Sequence, residues 1–120
     1  MADILGAAVA QMCALGAHPA DIRAAIGPGI GACCFEVGPE VVAAAEALLH
    51  EPLGALVCPR ADGKALLDLK GVNARRLAQL GVPAGQIAVS DACTMCRPDV
   101  FWSHRATNGR RGVQAAVITL

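Results

Sequence analysis

The sequence predicts a layered α/β domain, because segments with helical periodicity alternate along the chain with short segments that have the periodicity of strands. A glycine or a proline, the residues that commonly end helices, follows each helical segment. No internal repeat, low-complexity tract or linker-like stretch divides the 120 residues. These observations favour one domain or part of one.

Three helices are predicted. The first covers the opening segment Met1–Leu15 and ends at Gly16. Its apolar face is formed by Ile4, Leu5, Ala8, Val9, Met12 and Leu15. The second begins at Pro39, which suits the first turn of a helix, and ends before Pro52. The third is capped by Asp68 and runs to Leu80.

Four strands are predicted between and after these helices. They are Ile22–Ile26, Leu56–Pro59, Gln86–Ser90 and Val113–Leu120. Ala61–Lys64 has the composition of a turn. The predicted order is therefore helix, strand, helix, strand, helix, strand, loop, strand.

Composition and charge argue against two classes of partner. The ten basic and ten acidic residues give a net charge of zero, and only three side chains are aromatic. The densest basic spot, Arg105 with Arg110 and Arg111, is too small for a nucleic-acid footprint. No apolar run reaches the roughly 18–20 residues that a membrane span needs. We expect neither nucleic acid nor membrane as a partner.

The apolar content of the chain predicts dependence on a partner. Hydrophobic residues make up 55% of the sequence, but many are alanines that bury little area each. A chain of this size is modest for burying surface on its own. The helix that begins almost at Met1 also suggests a truncated protein. We expect a homo-oligomer or a missing part of the same protein to complete the core.

The six cysteines are expected to be reduced thiols or metal ligands, because the opening segment has no secretory signal. This expectation corresponds to a cytoplasmic protein. Cys13 and Cys58 lie in apolar runs and are predicted to be inert core residues. The remaining four form a vicinal pair, Cys33 with Cys34, and a Cys-x-x-Cys pair, Cys93 and Cys96.

The first loop, Gly27–Gly38, contains four glycines and a proline between a predicted strand and a helix. Its glycines could take positive φ and offer backbone N–H groups to an anion, or they could form a tight structural connection. The vicinal cysteines Cys33 and Cys34 are expected to face opposite ways, so that at most one faces a site. Glu36 is either an acid, base or ligand-orienting group or a surface charge.

The second loop, Ser90–Arg105, contains the Cys93-x-x-Cys96 pair, for which three interpretations stay open. It is half of a zinc site completed by His104 and by one of the two vicinal cysteines, or a redox pair, or two small loop residues. The redox interpretation is weaker, because a redox pair should lie at the start of a helix, whereas the residues after Cys96, Arg97-Pro98-Asp99, break a helix. Arg105 could bind phosphate or carboxylate with two donors, or it could cap the strand or pair with Asp91 or Asp99.

Together the two loops resemble a known family. Residues 25–38 resemble the "I-G-P-x-I-G-x-x-x-[YF]-E-V-G" block of the YfiH-like polyphenol oxidase, or laccase-domain, family. Cys93-Thr94 followed by Phe101–Arg105 resembles its "C-T … F-[FW]-S-[YH]-R" block. Leu67–Leu69 with Asn73 resembles the middle helix of the family, and Gly112–Leu120 its closing strand.

The resemblance implies a layered α/β sandwich with mixed sheets and a purine nucleoside phosphorylase that also deaminates adenosine. It implies zinc or copper, held by a His, the Cys of "A-D-C" and the His of "H-A-G-W-R-G". Neither motif occurs here, and both precede the opening helix in the family. Residues 1–120 are therefore expected to be the C-terminal portion of a single laccase-like domain, with no metal at the family site. Whether this portion is an enzyme by itself is left open.

Purine nucleoside and phosphate are the partners that the resemblance implies. The residues expected to bind them are Gly27, Gly29, Gly31, Phe35, Glu36, Cys93, Thr94 and Arg105. Among them the glycine backbone and Arg105 are the anion contacts, and Phe35 is an apolar wall; no residue is assigned a catalytic role. The alternative is a small zinc-stabilised structural or interaction module that uses Cys93, Cys96, His104 and either Cys33 or Cys34.

Overall fold

The computed structural model describes residues 1–119, in which three helices alternate with short strands. The elements are α1 (Ile4–Ala14), β1 (Ala24–Ile26), β2 (Glu36–Val37), α2 (Pro39–Leu49), β3 (Val57–Pro59), β4 (Ala65–Leu67), α3 (Leu69–Gln79) and β5 (Ile87–Val89). Within the described residues no helix is long and apolar enough to cross a membrane.

The strands form two small sheets of different kinds. β1 and β5 pair in parallel, with Ala24 opposite Ile87. The other sheet is antiparallel and has the order β2-β4-β3. The prediction of an α/β architecture with mixed sheets is confirmed.

The helix boundaries follow from local chemistry. The Asp68 carboxylate accepts a hydrogen bond from the backbone N–H of Gly71 at 2.9 Å and caps α3 as predicted. Asp3 caps α1 in the same way, through the N–H of Gly6 at 3.0 Å. Pro39 occupies the first turn of α2, where its missing N–H has no helical acceptor to lose.

Helix α3 lies between two apolar clusters and contributes to both. Val72 packs into a cluster with α2 and the antiparallel sheet. The buried members of this cluster are Val37, Ala45, Leu49, Leu53, Leu67 and Val72. Leu77, on another side of α3, packs with Val9, Ile22 and Val82 beneath the parallel sheet. The two sheets therefore share one helix.

Two sequence predictions about buried positions are wrong. Helix α1 buries the side with Val9, whereas Ile4 and Leu15 are 73% and 80% exposed. The apolar pattern is periodic, but only the edge of the face that contains Val9 packs into the cluster with Ile22, Leu77 and Val82. Cys13 and Cys58 are exposed thiols rather than core residues, because each lies on a side of its element that nothing in the described chain covers.

The strand predictions also need correction. Residues 113–119 of the predicted strand Val113–Leu120 form no strand, and Leu120 lies outside the described residues. A strand needs a hydrogen-bonded neighbour, and this segment has none within residues 1–119; Val117 is 92% exposed. Conversely, β2 and β4 were not predicted: β2 lies inside the predicted loop Gly27–Gly38.

Candidate functional site

The two cysteine-bearing loops lie side by side because they leave adjacent parallel strands at the same edge of the sheet. The pairing of β1 with β5 continues beyond the strands as a parallel bridge between Gly29 and Cys93. The Thr94 N–H donates to the Gly29 carbonyl at 3.1 Å, and the Gly29 N–H donates to the Ala92 carbonyl at 3.4 Å. The backbone alone thus fixes the loops in one register.

Lys70 holds the second loop from beneath. Its side chain is buried, and Nζ donates to the carbonyls of Ser90 at 2.9 Å and Ala92 at 2.6 Å. Sequence reasoning missed this residue. The available signal was its position in the first turn of α3, where the helix dipole disfavours a cation unless other acceptors compensate.

Four cysteine sulfurs meet where the loops touch, in a group that we call the cysteine tetrad: Cys33, Cys34, Cys93 and Cys96. All four Sγ atoms lie within 4.8 Å of one another, so the tetrad could hold a metal ion. The Cys96 Sγ lies 3.4 Å from the sulfurs of both vicinal cysteines.

The tetrad corrects two sequence predictions. Cys33 and Cys34 do not face opposite ways, because they lie in a tight turn rather than in extended chain. The Cys34 N–H donates to the Gly31 carbonyl at 3.0 Å in that turn. His104, proposed as a fourth ligand, is exposed and does not belong to the tetrad.

The sulfurs of the tetrad differ in acidity. Burial opposes ionisation of Cys93, but hydrogen bonds from the backbone N–H groups of Gly31, Cys96 and Met95 lower its pKa to about 6. The Gly31 nitrogen lies 3.2 Å from its Sγ. A hydrogen bond to Cys96, together with burial, raises the pKa of Cys34 to about 12. Near neutral pH the metal-free tetrad therefore holds a thiolate at Cys93 next to protonated Cys34.

A cleft of about 830 Å³ lies beside the tetrad, between the first loop and the segment after Phe101. Its walls are Gly27, Pro28, Ile30, Phe35, Thr94, Phe101, Trp102, Ser103, His104, Arg105 and residues 111–116. Four of the expected site residues line this cleft: Gly27, Phe35, Thr94 and Arg105. The other four do not.

Those other four have different places. The N–H groups of Gly29 and Gly31 donate to the second loop rather than to open space. Cys93 belongs to the tetrad, and Glu36 lines a separate groove. None of the glycines in 27–31 has positive φ. Gly31 matters for another reason: an added Cβ would lie 3.3 Å from the Cys33 sulfur, which is a tight contact.

Arg105 joins the two loops at the rim of the cleft. One of its terminal nitrogens donates to the Glu36 carbonyl at 2.8 Å, and its Cζ lies 5.2 Å from the centroid of the Phe35 ring. A guanidinium has five N–H donors, and the Glu36 carbonyl accepts from one of its nitrogens, so further N–H donors of Arg105 do not take part in this contact. The arrangement presents a fixed positive charge next to an aromatic wall.

Residues 1–120 match the family described as multi-copper polyphenol oxidoreductase laccase. The chain belongs to this laccase family. The expectation drawn from the two loop motifs is confirmed.

Relatives in the laccase family carry other names. Purine nucleoside phosphorylase YlmD of Geobacillus stearothermophilus is 39% identical over 83% of this chain. Adenosine deaminase RL5, from an unknown prokaryotic organism, is 41% identical over 85%. The crystal structure of the hypothetical protein YfiH of Bacillus licheniformis superposes with a TM-score of 0.85, at 38% identity over 91% of this chain. The chain spans 36%, 39% and 41% of these three proteins, respectively.

The cleft also contains residues that were not among the expected laccase-family contacts. Those with aromatic, polar or charged side chains include Phe101, Trp102, Ser103, His104 and Arg111. Most of them belong to the motif Phe101–Arg105, so the family block itself was the signal. Arg111 was visible only as part of the small basic spot near the C-terminus.

The residues of this chain do not fit the His, Cys, His ligand set that the laccase family implies. In the part of the chain that the structure describes, the group that could hold a metal contains cysteines alone. The two motifs that carry the mixed ligand set are also missing from the sequence. No chemical step at that family metal is therefore derived from these residues.

Proposed function

We propose that this chain is part of a purine nucleoside phosphorylase and that its cleft forms one wall of the pocket for purine nucleoside and phosphate. The single observation that carries the proposal is the position of the Arg105 guanidinium over the ring of Phe35 at the rim of the cleft. Two relatives that are 39% and 42% identical to this chain support the proposal, because both are named purine nucleoside phosphorylase.

Phosphorolysis places specific demands on such a pocket. Phosphate must be held beside an anomeric carbon that gains positive charge while its bond to the purine breaks. Arg105 and Arg111 line the cleft as cations suited to the phosphate. Phe35 and Trp102 provide aromatic surface suited to the flat purine. No residue of this chain is assigned the protonation of the leaving purine.

Adenosine deamination is the second activity, and the name of one relative favours it. Attack by water at the purine ring needs a metal-activated water or an equivalent base. The mixed His and Cys ligands for such a metal are not formed by these residues. We therefore assign this chain a substrate-binding role in both reactions and place the zinc or copper ligands of the family outside it.

Three further points belong to the same proposal. The chain is the C-terminal portion of a laccase-like domain, and it works together with the N-terminal portion. Its exposed apolar residues, such as Ile4 and Val117, fit burial against that portion or a second copy. Its free cysteines fit the reducing conditions of the cytoplasm.

A hybrid enzyme tests the proposal. In the Geobacillus phosphorylase YlmD, the segment that matches this chain is replaced by this chain, and phosphate-dependent release of hypoxanthine from inosine is measured. We expect turnover comparable to that of the parent enzyme and none from the 120-residue chain alone. A hybrid that folds but releases no hypoxanthine would contradict the binding role. Full turnover by the chain alone would contradict its assignment as a portion.

A further inference from the structure

We propose that the cysteine tetrad holds one Zn²⁺ ion through all four sulfurs, as a closed structural site separate from the cleft. The inference does not depend on the proposed phosphorylase function. It replaces the ligand set considered from the sequence, which combined three cysteines with His104.

The sulfur geometry is already close to what zinc requires. A tetrahedral zinc ion with Zn–S bonds of about 2.3 Å places its four sulfurs about 3.8 Å apart. In the tetrad two Sγ pairs lie at 3.4 Å, and no pair exceeds 4.8 Å. Changes of up to about 1 Å in the Sγ–Sγ distances, within the reach of side-chain rotation, would complete the tetrahedron.

The backbone supports ligation from both loops. Cys93 and Cys96 flank a turn in the second loop, and the vicinal cysteines lie in the turn that begins at Gly31. The Gly31 N–H donates to the Cys93 sulfur. Hydrogen bonds of this kind orient the ligands in metal sites. The register of the loops is fixed by the bridge at Gly29, independently of any metal.

Charges around the tetrad suit a thiolate centre. Zinc with four thiolates keeps an excess of negative charge, which must be balanced locally. The groove against the vicinal cysteines is lined by three cations, Arg60, Lys64 and Arg105, and by one carboxylate, Glu36. Lys64 lies 3.8 Å from that carboxylate, which leaves a net positive wall beside the sulfurs.

Zinc is the ion that this donor set favours. Soft thiolates select zinc, copper(I) or iron–sulfur clusters over hard cations, and a compact tetrahedron of four sulfurs is typical of structural zinc. Because the protein fills all four positions, no position remains for a catalytic water. The site would tie the first loop to the second and so fix Phe35 and Thr94 at the wall of the cleft.

Metal titration of the purified 120-residue chain tests the site. The reduced protein is freed of metal and titrated with Zn²⁺, or with Co²⁺ as a spectroscopic probe. We expect one equivalent to bind, a sulfur-to-cobalt charge-transfer band of four-thiolate intensity, and four Zn–S distances of about 2.3 Å by X-ray absorption. With zinc bound, only the two cysteines outside the tetrad should react rapidly with a thiol reagent.

Variants separate the tetrad from the other thiols. Cys96→Ser and Cys33→Ser should each weaken zinc binding by about tenfold or more. Cys13→Ser and Cys58→Ser are matched controls, since both remove an exposed thiol outside the tetrad, and they should bind zinc unchanged. The wild-type measurements decide the case even if a variant fails to fold.

Several results would overturn the proposal. These are no stoichiometric zinc, six rapidly reacting thiols in the presence of zinc, a cobalt spectrum with fewer than four thiolates, or an iron–sulfur chromophore in the isolated protein. A hybrid phosphorylase that is active but contains no zinc at the tetrad would contradict the zinc proposal and support the proposed function. An inactive hybrid that binds zinc stoichiometrically would support the zinc site and contradict the proposed function.

Discussion

Arg105 lies over the aromatic ring of Phe35, with 5.2 Å between its Cζ and the ring centroid, while one of its nitrogens donates to the neighbouring Glu36 carbonyl. The charge at the rim of the cleft is thus oriented from two directions. A lysine could keep the positive charge, but it lacks the several N–H donors of a guanidinium, one of which is used here by the Glu36 carbonyl.

Arg105→Lys in the hybrid enzyme should therefore raise the KM for phosphate about tenfold, as expected for the loss of about 1.4 kcal/mol of charge-assisted binding. Its kcat should change less. Arg110→Lys is the control, because Arg110 does not line the cleft. Equal effects of the two substitutions, or a fall in kcat alone, would argue against phosphate binding by Arg105.

Lys70→Met should destabilise the protein without changing the shape of α3. Hydrogen bonds that involve a charged donor contribute about 1.5–3 kcal/mol, and the variant loses two such bonds to the second loop. Urea unfolding should show a loss of at least the lower value. Lys64→Met, at an exposed ion pair, should change stability by less than about 1 kcal/mol. Equal losses would mean that Lys70 does not clamp the loop.

In the metal-free tetrad, Cys93 should ionise at much lower pH than Cys34, whose pKa is raised to about 12. Since the pKa of Cys93 is lowered to about 6, thiolate absorbance should rise as pH increases through 6. Cys93→Ser should remove that step. Because the folded pKa lies below that of an unfolded cysteine, about 8.5, the wild type should gain stability over this variant as pH rises from 6 to 8.5. A first ionisation step only above pH 8 would contradict this assignment.

Gly31→Ala should disturb the tetrad specifically. The added methyl group would lie 3.3 Å from both the Cys33 sulfur and the Cys93 Cβ. Zinc affinity should fall about tenfold, the scale for disturbed support around metal ligands. Gly85→Ala is the matched control, because a Cβ there meets nothing within 4 Å and its φ is not positive. Unchanged zinc binding by Gly31→Ala would show that the loop adapts.

The helices were predictable from local sequence signals, whereas two of the strands depend on pairing between distant segments and were not predictable. Pro39 and Asp68 determine helix starts through their own backbone and side-chain chemistry, and both predictions hold. β2 and β4 contain two and three residues and exist through their pairing with each other. Segments so short carry no periodicity of their own.

The candidate site was predictable in its parts and not in its arrangement. The motifs pointed to Phe35, Thr94 and Arg105, which do line one cleft. The tetrad depended on a turn at Cys33 and Cys34 that a rule for extended chain could not foresee. Lys70 acts on carbonyls twenty or more positions away, a contact that only the tertiary structure creates.

Because α3 supplies Val72 to one apolar cluster and Leu77 to the other, neither half of the molecule has a complete interior without it. Loss of this helix would expose both clusters at once. The two sheets should therefore melt in a single cooperative transition, with the same midpoint whether it is followed near α2 or near β5. A destabilising change on either side would then lower the population of folded cleft and folded tetrad together.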